Sequence, residues 1–306
     1  MKKSFERVAV VGTGVLGTQI AMIAAYAGYK VSAFDIREGA FDETYAKLYA
    51  DLKGKGINPF IAFDKWEECK KSIRFAANLG DALKDADLVE ESVTEDVEIK
   101  REVFKQMGEK APAKAIFATN SSSLPVSRME DSSGRPERCI NIHFYFPLQG
   151  LNMADLMAGT KTLPEAMQKG EEWIRSLGVV PLRVKKETLG FCFNSVWRAI
   201  KKRTLYMWAN DFADFRDIDR AWRIFSGMKV GPFALMDTVG LDTVFNIEMS
   251  YYADSKDPGD KPPDALAEMI KRGELGVKSG KGFYTYPNPE FLQPDFLDPK
   301  KQGGTE

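Results

Sequence analysis

The stretch Arg7–Ala21, RVAVVGTGVLGTQIA, decides the fold. RVAVV reads as a buried strand, and Gly12, Gly14 and Gly17 follow it in the spacing G-x-G-x-x-G, opening an apolar run suited to a helix. The first glycine permits a tight strand-to-helix turn, the second lets backbone approach a pyrophosphate, and the third lets the helix pack closely on the strand. Phosphate held there meets free N–H groups and the positive end of the helix. Val15 and Leu16 lie inside the same turn and count among its expected cofactor contacts. The next strand-like run, YKVSAFD, ends in Asp35, 18 residues past Gly17, where an acid can bond the ribose hydroxyls of a dinucleotide. A glycine-rich turn without a ligand has no need of that acid. A carboxylate there repels the 2′-phosphate of NADP, so NAD is the expected cofactor, with Arg37 as a partial counterweight.

The same region could mislead. MKKSFER is basic, and Val8–Tyr29 runs 22 residues without a charge, long enough for a secretion signal or a membrane span. Four glycines and the polar Thr13, Thr18 and Gln19 interrupt it, which favours strand, turn and buried helix. No membrane association is expected.

Alternation continues through the first half of the chain. ETYAKLYADLKGKG reads as a helix; SIRFAAN, ADLVEESV, AIFATN, CINIHFYF and VVPLRV read as short strands; EIKREVFKQMGEKA and PEAMQKGEEWIRSLG read as helices between them. This pattern predicts an α/β fold with a Rossmann-type, doubly wound, mostly parallel sheet. From Asn194 onward the chain reads almost wholly helical, so an all-helical C-terminal domain is expected, with the domains at 1–186 and 187–306. The tail PNPEFLQPDFLDPKKQGGTE is Pro-rich and expected to be extended or frayed.

The 306 residues are 44% hydrophobic and 28% charged, with a formal charge of -1, so no global field draws in nucleic acid or an anionic membrane. Three widely spaced cysteines, Cys69, Cys139 and Cys192, suit reduced thiols in the cytoplasm, and a single histidine with no CxxC gives no metal-ligand pattern.

That histidine is His143, at the end of the run CINIH, while AIFATN ends in Asn120 and runs into Ser121, Ser122 and Ser123. In an open parallel sheet, ligands bind outside the carboxyl ends of the strands. An imidazole beside hydroxyls at that edge suits oxidation of an alcohol, because it can take up a proton near neutrality as hydride leaves carbon. By themselves a strand-end histidine and a serine loop are as readily structural; the dinucleotide turn is what favours chemistry. Asn120 is expected on the cofactor side.

The segments VAVVGTGVLGTQIA, VEESVTEDVEIKREVF, FATNSSSLPVS, HFYFP, GFCFN, DIDRAWRIFSGMKVGPFALMDTVGLD and GELGVKSGKGFYTYP together resemble the L-3-hydroxyacyl-CoA dehydrogenases and their relatives, over nearly the whole chain. The resemblance implies that His143 is the general base and that Asp155, 12 residues on where the family has glutamate, orients its ring. It implies that Ser122 and Asn194 touch the substrate oxygen, and that Glu95 and Lys100 lie near the nicotinamide half of NAD. It further implies a small-molecule substrate, an acyl-CoA, and a homodimer formed by the helical domain.

The departures from the family fall around the substrate. Phe146 replaces an asparagine, Asp155 is one methylene short, Ser195 stands where arginine is common, and Lys229-Val230 replace Pro-Met. An altered, bulky acyl group on a preserved NAD-dependent machine is therefore expected. Two alternatives stay open: a dehydrogenase of a free hydroxy acid such as a sugar acid or carnitine, and a non-catalytic NAD-binding relative. Lys53, Lys55, Lys65, Lys70 and Lys71 form a basic cluster that could meet CoA phosphates or be a solvated helix face.

Overall fold

The structure is a computed structural model and describes residues 4–54, 60–148 and 150–298. The chain divides into two compact units, Met1–Phe193 and Asn194–Glu306.

In the first unit the elements run β1 (Arg7–Val11), α1 (Val15–Tyr26), β2 (Lys30–Phe34), α2 (Ala40–Gly54), α3 (Trp66–Ser72), β3 (Arg74–Phe75), α4 (Leu79–Leu83), β4 (Leu88–Glu91), α5 (Val97–Lys110), β5 (Ile116–Thr119), β6 (Cys139–Phe144), β7 (Met153–Ala158), α6 (Pro164–Ser176) and β8 (Val180–Val184). They build one sheet in the order β3-β2-β1-β4-β5-β6-β7-β8. Neighbouring strands pair in parallel except β6 and β7, which pair antiparallel. Only residues 145–152 join β6 to β7, too few for a helical crossover, so the chain must turn back on itself. This returning strand was not expected from the sequence, and SIRFAAN shrinks to a two-residue edge strand.

Alternate strand residues point into two apolar layers. Val8, Val10, Leu88, Ile116, Ile140 and Ile142 pack with α1, α2, α3 and α6 on one face. Ala9, Val11, Val89, Phe117 and Cys139 pack with α4 and α5 on the other. The uncharged stretch Val8–Tyr29 is thus a central strand and the helix covering it, and no helix among the described residues is long and apolar enough to cross a membrane.

The second unit consists of α7 (Phe193–Ala209, whose first residue belongs to the first unit), α8 (Phe215–Ser226), α9 (Pro232–Val239), α10 (Leu241–Ser255) and α11 (Asp264–Lys271). Two buried aspartates pin it. Asp219 of α8 accepts the backbone N–H groups of Phe233 and Ala234, capping α9 in place of a local residue, and also the Tyr284 hydroxyl. Asp237 accepts the N–H groups of Phe283 and Tyr284. A Cβ on Gly231 would lie 2.3 Å from Asp219, and Cβ atoms on Gly276 and Gly282 would lie 2.2 and 2.1 Å from Asp237. Gly231, Gly276 and Gly282 are therefore packing residues, whereas Gly227 and Gly280 meet nothing within 4 Å and serve positive-φ turns. Burial pushes the Asp219 carboxyl up to about 6 despite its N–H donors. The tail departs from expectation: its residues 290–292 and 294–297 form tight helical turns, and Phe291 and Phe296 are buried in the helical core. Aromatic burial outweighs the extended bias of the prolines there. Residues 299–306 lie outside the described residues.

Glu90 breaks the apolar pattern of β4. It is wholly buried between Val10 and Ala118 in register, and neither carboxyl oxygen has a hydrogen-bond partner among the described residues. Burial pushes its pKa well up, and the Glu91 charge adds to this against Lys100. The folded state therefore keeps a proton that the unfolded chain releases above about pH 4.3. This contribution is complete below that value and is lost as pH rises towards the folded pKa. Glu90→Val is expected to raise the urea midpoint by the equivalent of about 1–3 kcal/mol. The gain should be larger at pH 8 than at pH 5, read by denaturation at both.

Candidate active site

Strands β1, β4, β5 and β6 lie side by side and run parallel, so the turns after their last residues share one edge of the sheet. At the end of β1, Gly12 has φ +90, and a Cβ there would lie 2.6 Å from the Ser92 carbonyl oxygen. A Cβ on Gly17 would lie 1.9 Å from the Gly12 carbonyl oxygen, so α1 crosses the turn in direct backbone contact. A Cβ on Gly14 would meet nothing within 4 Å, leaving the space above the turn open. Gly14 precedes α1 without a side-chain cap and the first turn of the helix holds no acid, so its N–H groups face an anion site. Val15 is exposed in this turn and Leu16 packs against the core.

Asp35, just past β2, accepts the Thr13 N–H at 2.6 Å and the Arg37 N–H at 2.9 Å. The Arg37 guanidinium pairs with Glu43 at 2.8 Å rather than with Asp35, so it does not offset that carboxylate. Open glycine backbone, an uncapped helix start and a fixed acid at the next strand fit the pyrophosphate and ribose of NAD.

Behind β4 and β5 lies a polar cluster. Lys100 of α5, almost fully buried, pairs with Glu91 at 2.7 Å and Glu95 at 3.4 Å. Glu91 also takes the Thr119 hydroxyl and the Val93 N–H, both at 2.7 Å. Glu95 accepts the Ser121 hydroxyl, the N–H groups of Ser122 and Ser123, and the Ser123 hydroxyl, all on Oε1. Burial works to raise the Glu95 pKa, but the Lys100 charge and these donors outweigh it and hold it below the usual carboxylate value. Glu95 thus shapes the serine loop and leaves Ser122 exposed at its tip. Asn120 is buried and its Oδ1 accepts the Phe144 N–H at 2.8 Å, bracing the strand next to His143.

His143 and Asp155 are directly opposite each other in the antiparallel pair of β6 and β7, which is the structural origin of their 12-residue spacing. Nδ1 of His143 lies 3.6 Å from Oδ2 of Asp155, beyond hydrogen-bond length, and has no hydrogen-bond partner among the described residues. Asp155 is fully buried. The Tyr145 hydroxyl donates to its Oδ2, and the Cys192 N–H donates to its Oδ1 at 3.2 Å. Phe191, at φ 50, stacks on the imidazole at 5.1 Å, and Tyr145 meets the ring edge-on at 4.6 Å. Burial raises the Cys192 thiol, with the Asp155 charge adding to it.

Phe146, which follows Tyr145 in the chain, is 55% exposed, and Asn194 is half-buried in the first turn of α7, where the second unit begins. Among the basic cluster, Lys65 and Lys70 are ion-paired with Glu68 and Asp42, and Lys55 lies outside the described residues. Among the described residues no group of three acids, cysteines or histidines could hold a metal ion. Sequence reasoning missed Glu91, Phe191 and the Cys192 N–H, and it read Tyr145 only as an aromatic wall of the acyl site, not as a hydroxyl donor to Asp155. Its place two residues from His143, on the same side of an extended chain, carried that signal.

This is the nucleotide edge of an NAD-dependent oxidoreductase. Residues 7–188 match the 3-hydroxyacyl-CoA dehydrogenase NAD binding domain, and residues 190–286 match the C-terminal domain of the same enzymes. The chain belongs to the 3-hydroxyacyl-CoA dehydrogenase family. It is 30% identical over 285 residues to a 3-hydroxybutyryl-CoA dehydrogenase of Clostridioides difficile, covering 92% of this chain and 99% of that one. Among solved structures it is similar to a diketoreductase described for dual catalysis of dicarbonyl compounds, at 35% identity and a TM-score of 0.82, covering 94% of this chain and all of the other. It is also similar to the (S)-3-hydroxybutyryl-CoA dehydrogenase of Ralstonia eutropha, at 27% identity and a TM-score of 0.81, covering 93% of this chain and 100% of that one.

Asp35→Ser is expected to weaken NAD binding about tenfold or more, because it removes a charged hydrogen-bond acceptor. Binding of NADP should suffer less, so the ratio of the two affinities narrows; fluorescence titration with each nucleotide measures both.

Proposed function

We infer that the protein catalyses reversible NAD-dependent oxidation of the hydroxyl of a 3-hydroxyacyl-CoA to the 3-oxoacyl-CoA, with His143 as general base. The observation that carries this reading is an imidazole at the carboxyl edge of the sheet, on the strand second from β4, with a buried carboxylate opposite its Nδ1. Because Nδ1 faces Asp155, Nε2 is the atom free to take the hydroxyl proton. NAD, held by the Gly12–Gly17 turn and Asp35, would supply the hydride acceptor for the carbon that bears this hydroxyl. Ser122, at the exposed tip of its loop, holds the substrate oxygen, and Asp155 supports the imidazolium that forms. Glu95 and Lys100 shape the edge of the nicotinamide site through the serine loop. Phe191 and Tyr145 give the centre an aromatic wall, and with the exposed Phe146 next in the chain this suits a bulky or otherwise atypical acyl group.

A second reading, oxidation of a hydroxy ketone or free hydroxy acid without CoA, is favoured by the 35% identity to a diketoreductase acting on dicarbonyl compounds. Assay of hydroxyacyl-CoA thioesters and the matching free acids with NAD separates the two: turnover confined to the free compounds sinks the CoA reading. His143→Gln is expected to cut kcat by about a thousandfold or more on whichever substrate is turned over. Turnover at the wild-type rate rejects His143 as the base.

The helical unit is proposed to form a homodimer. Phe225 is 97% exposed, Ile224 67% and Phe212 64%, which leaves apolar side chains of one unit for a second copy to cover. The three free thiols suit a reducing, cytoplasmic setting. Ile224→Glu with Phe225→Glu is expected to yield a monomer in sedimentation velocity; an unchanged sedimentation coefficient at the dimer value rejects this face.

A further inference from the structure

We propose that Tyr145 is a positioning residue of the catalytic centre, whose hydroxyl sets how much of the Asp155 charge reaches His143. The proposal rests on His143 being the base, as inferred above.

The geometry is specific to a short acid. Asp155 starts from a backbone position directly opposite His143, yet its Oδ2 stops 3.6 Å from Nδ1. That same oxygen accepts the Tyr145 hydroxyl, while Oδ1 accepts the Cys192 N–H. The carboxylate is therefore fixed on both oxygens by two donors, one just after β6 and one in the turn before α7, and its orientation towards Nδ1 does not depend on a bond to the ring. A hydrogen bond to a carboxylate stabilises its charge and weakens its pull on a neighbouring cation. Tyr145 thus shares Oδ2 with the imidazole: it aims the carboxylate and holds back a direct imidazole–carboxylate bond. The titratable groups in contact with this centre among the described residues are Asp155 from β7, Tyr145 after β6 and Cys192 from the turn; Phe191 covers the ring face without charge.

His143 is the single histidine of the chain, so the test needs no substrate. Untagged protein labelled with nitrogen-15 in histidine gives one imidazole whose protonation and tautomer are read by NMR across pH. With the hydroxyl removed in Tyr145→Phe, Oδ2 is free for Nδ1–H, and the His143 midpoint is expected to rise by about half a pH unit or more. Asp155→Asn is expected to lower it. Because Tyr145 acts through Asp155, Tyr145→Phe should produce no further change in the Asp155→Asn background. Tyr145→Leu, which also lacks the hydroxyl, should repeat the rise seen with phenylalanine. The low-pH limb of kcat for alcohol oxidation should move with the NMR midpoint, with KM nearly constant. An unmoved or lowered midpoint in Tyr145→Phe, or an equal rise with and without the Asp155 carboxylate, overturns the proposal. Failure of the His143→Gln test would reject the base while leaving this charge relation measurable.

Discussion

The buried ion pair of Lys100 and Glu91 is the contact on which the carboxyl edge of the sheet depends. Lys100 reaches from α5 into β4, and Glu91 passes the connection on to Thr119 of β5, so three elements are locked at the point where their strands end. Two charges out of water are tolerated only when the remaining donors and acceptors are also paired. Here the ammonium has Glu95 as a second partner, and Glu95 in turn gathers the hydroxyl and N–H groups of the serine loop. Removing either member of the central pair would leave the other buried and charged, a loss of about 3–5 kcal/mol.

The second constraint is the turn-back between β6 and β7. A parallel sheet places the ends of its strands on one edge, but it cannot by itself bring a residue 12 positions along the chain beside the last residue of a strand. The antiparallel return does so for His143 and Asp155. With Asp155 fixed on one oxygen by Tyr145 and on the other by the Cys192 N–H, the centre is built from a strand pair and the turn at residues 190–192. Phe191 adopts a left-handed backbone conformation in that turn, and this places its ring over the imidazole. Such backbone is costly for a residue with a side chain, and it persists where surrounding contacts over-determine it.

Much of this was legible in the chain itself. The glycine turn could be read because two of its glycines meet steric demands within the chain, and the structure displays them at Gly12 and Gly17 as contacts that no Cβ could share, while Gly14 leaves open space. Asp35 could be read because its place after the second strand follows from the geometry of the turn. The strand β7 could not, because MADLMA lacks the β-branched residues that mark a strand and is extended by its neighbours β6 and β8. The Pro-rich tail read as extended because local sequence carries no trace of the core that buries Phe291 and Phe296. Nor did two consecutive glutamates announce that one is neutralised by Lys100 while the other stands buried without a hydrogen-bond partner among the described residues.

The sequence by itself determined the doubly wound fold, the family, the NAD cofactor and the place of the chain's single imidazole at a strand end. These follow from periodicity, from glycine sterics and from residue type, all of which are local. Tertiary structure alone decided which donors hold Asp155, how far its short side chain stops from Nδ1, and which charge lies against Lys100. Those are distances between elements far apart in the chain, and a change of one methylene or one hydroxyl alters them without altering any local pattern that a sequence displays.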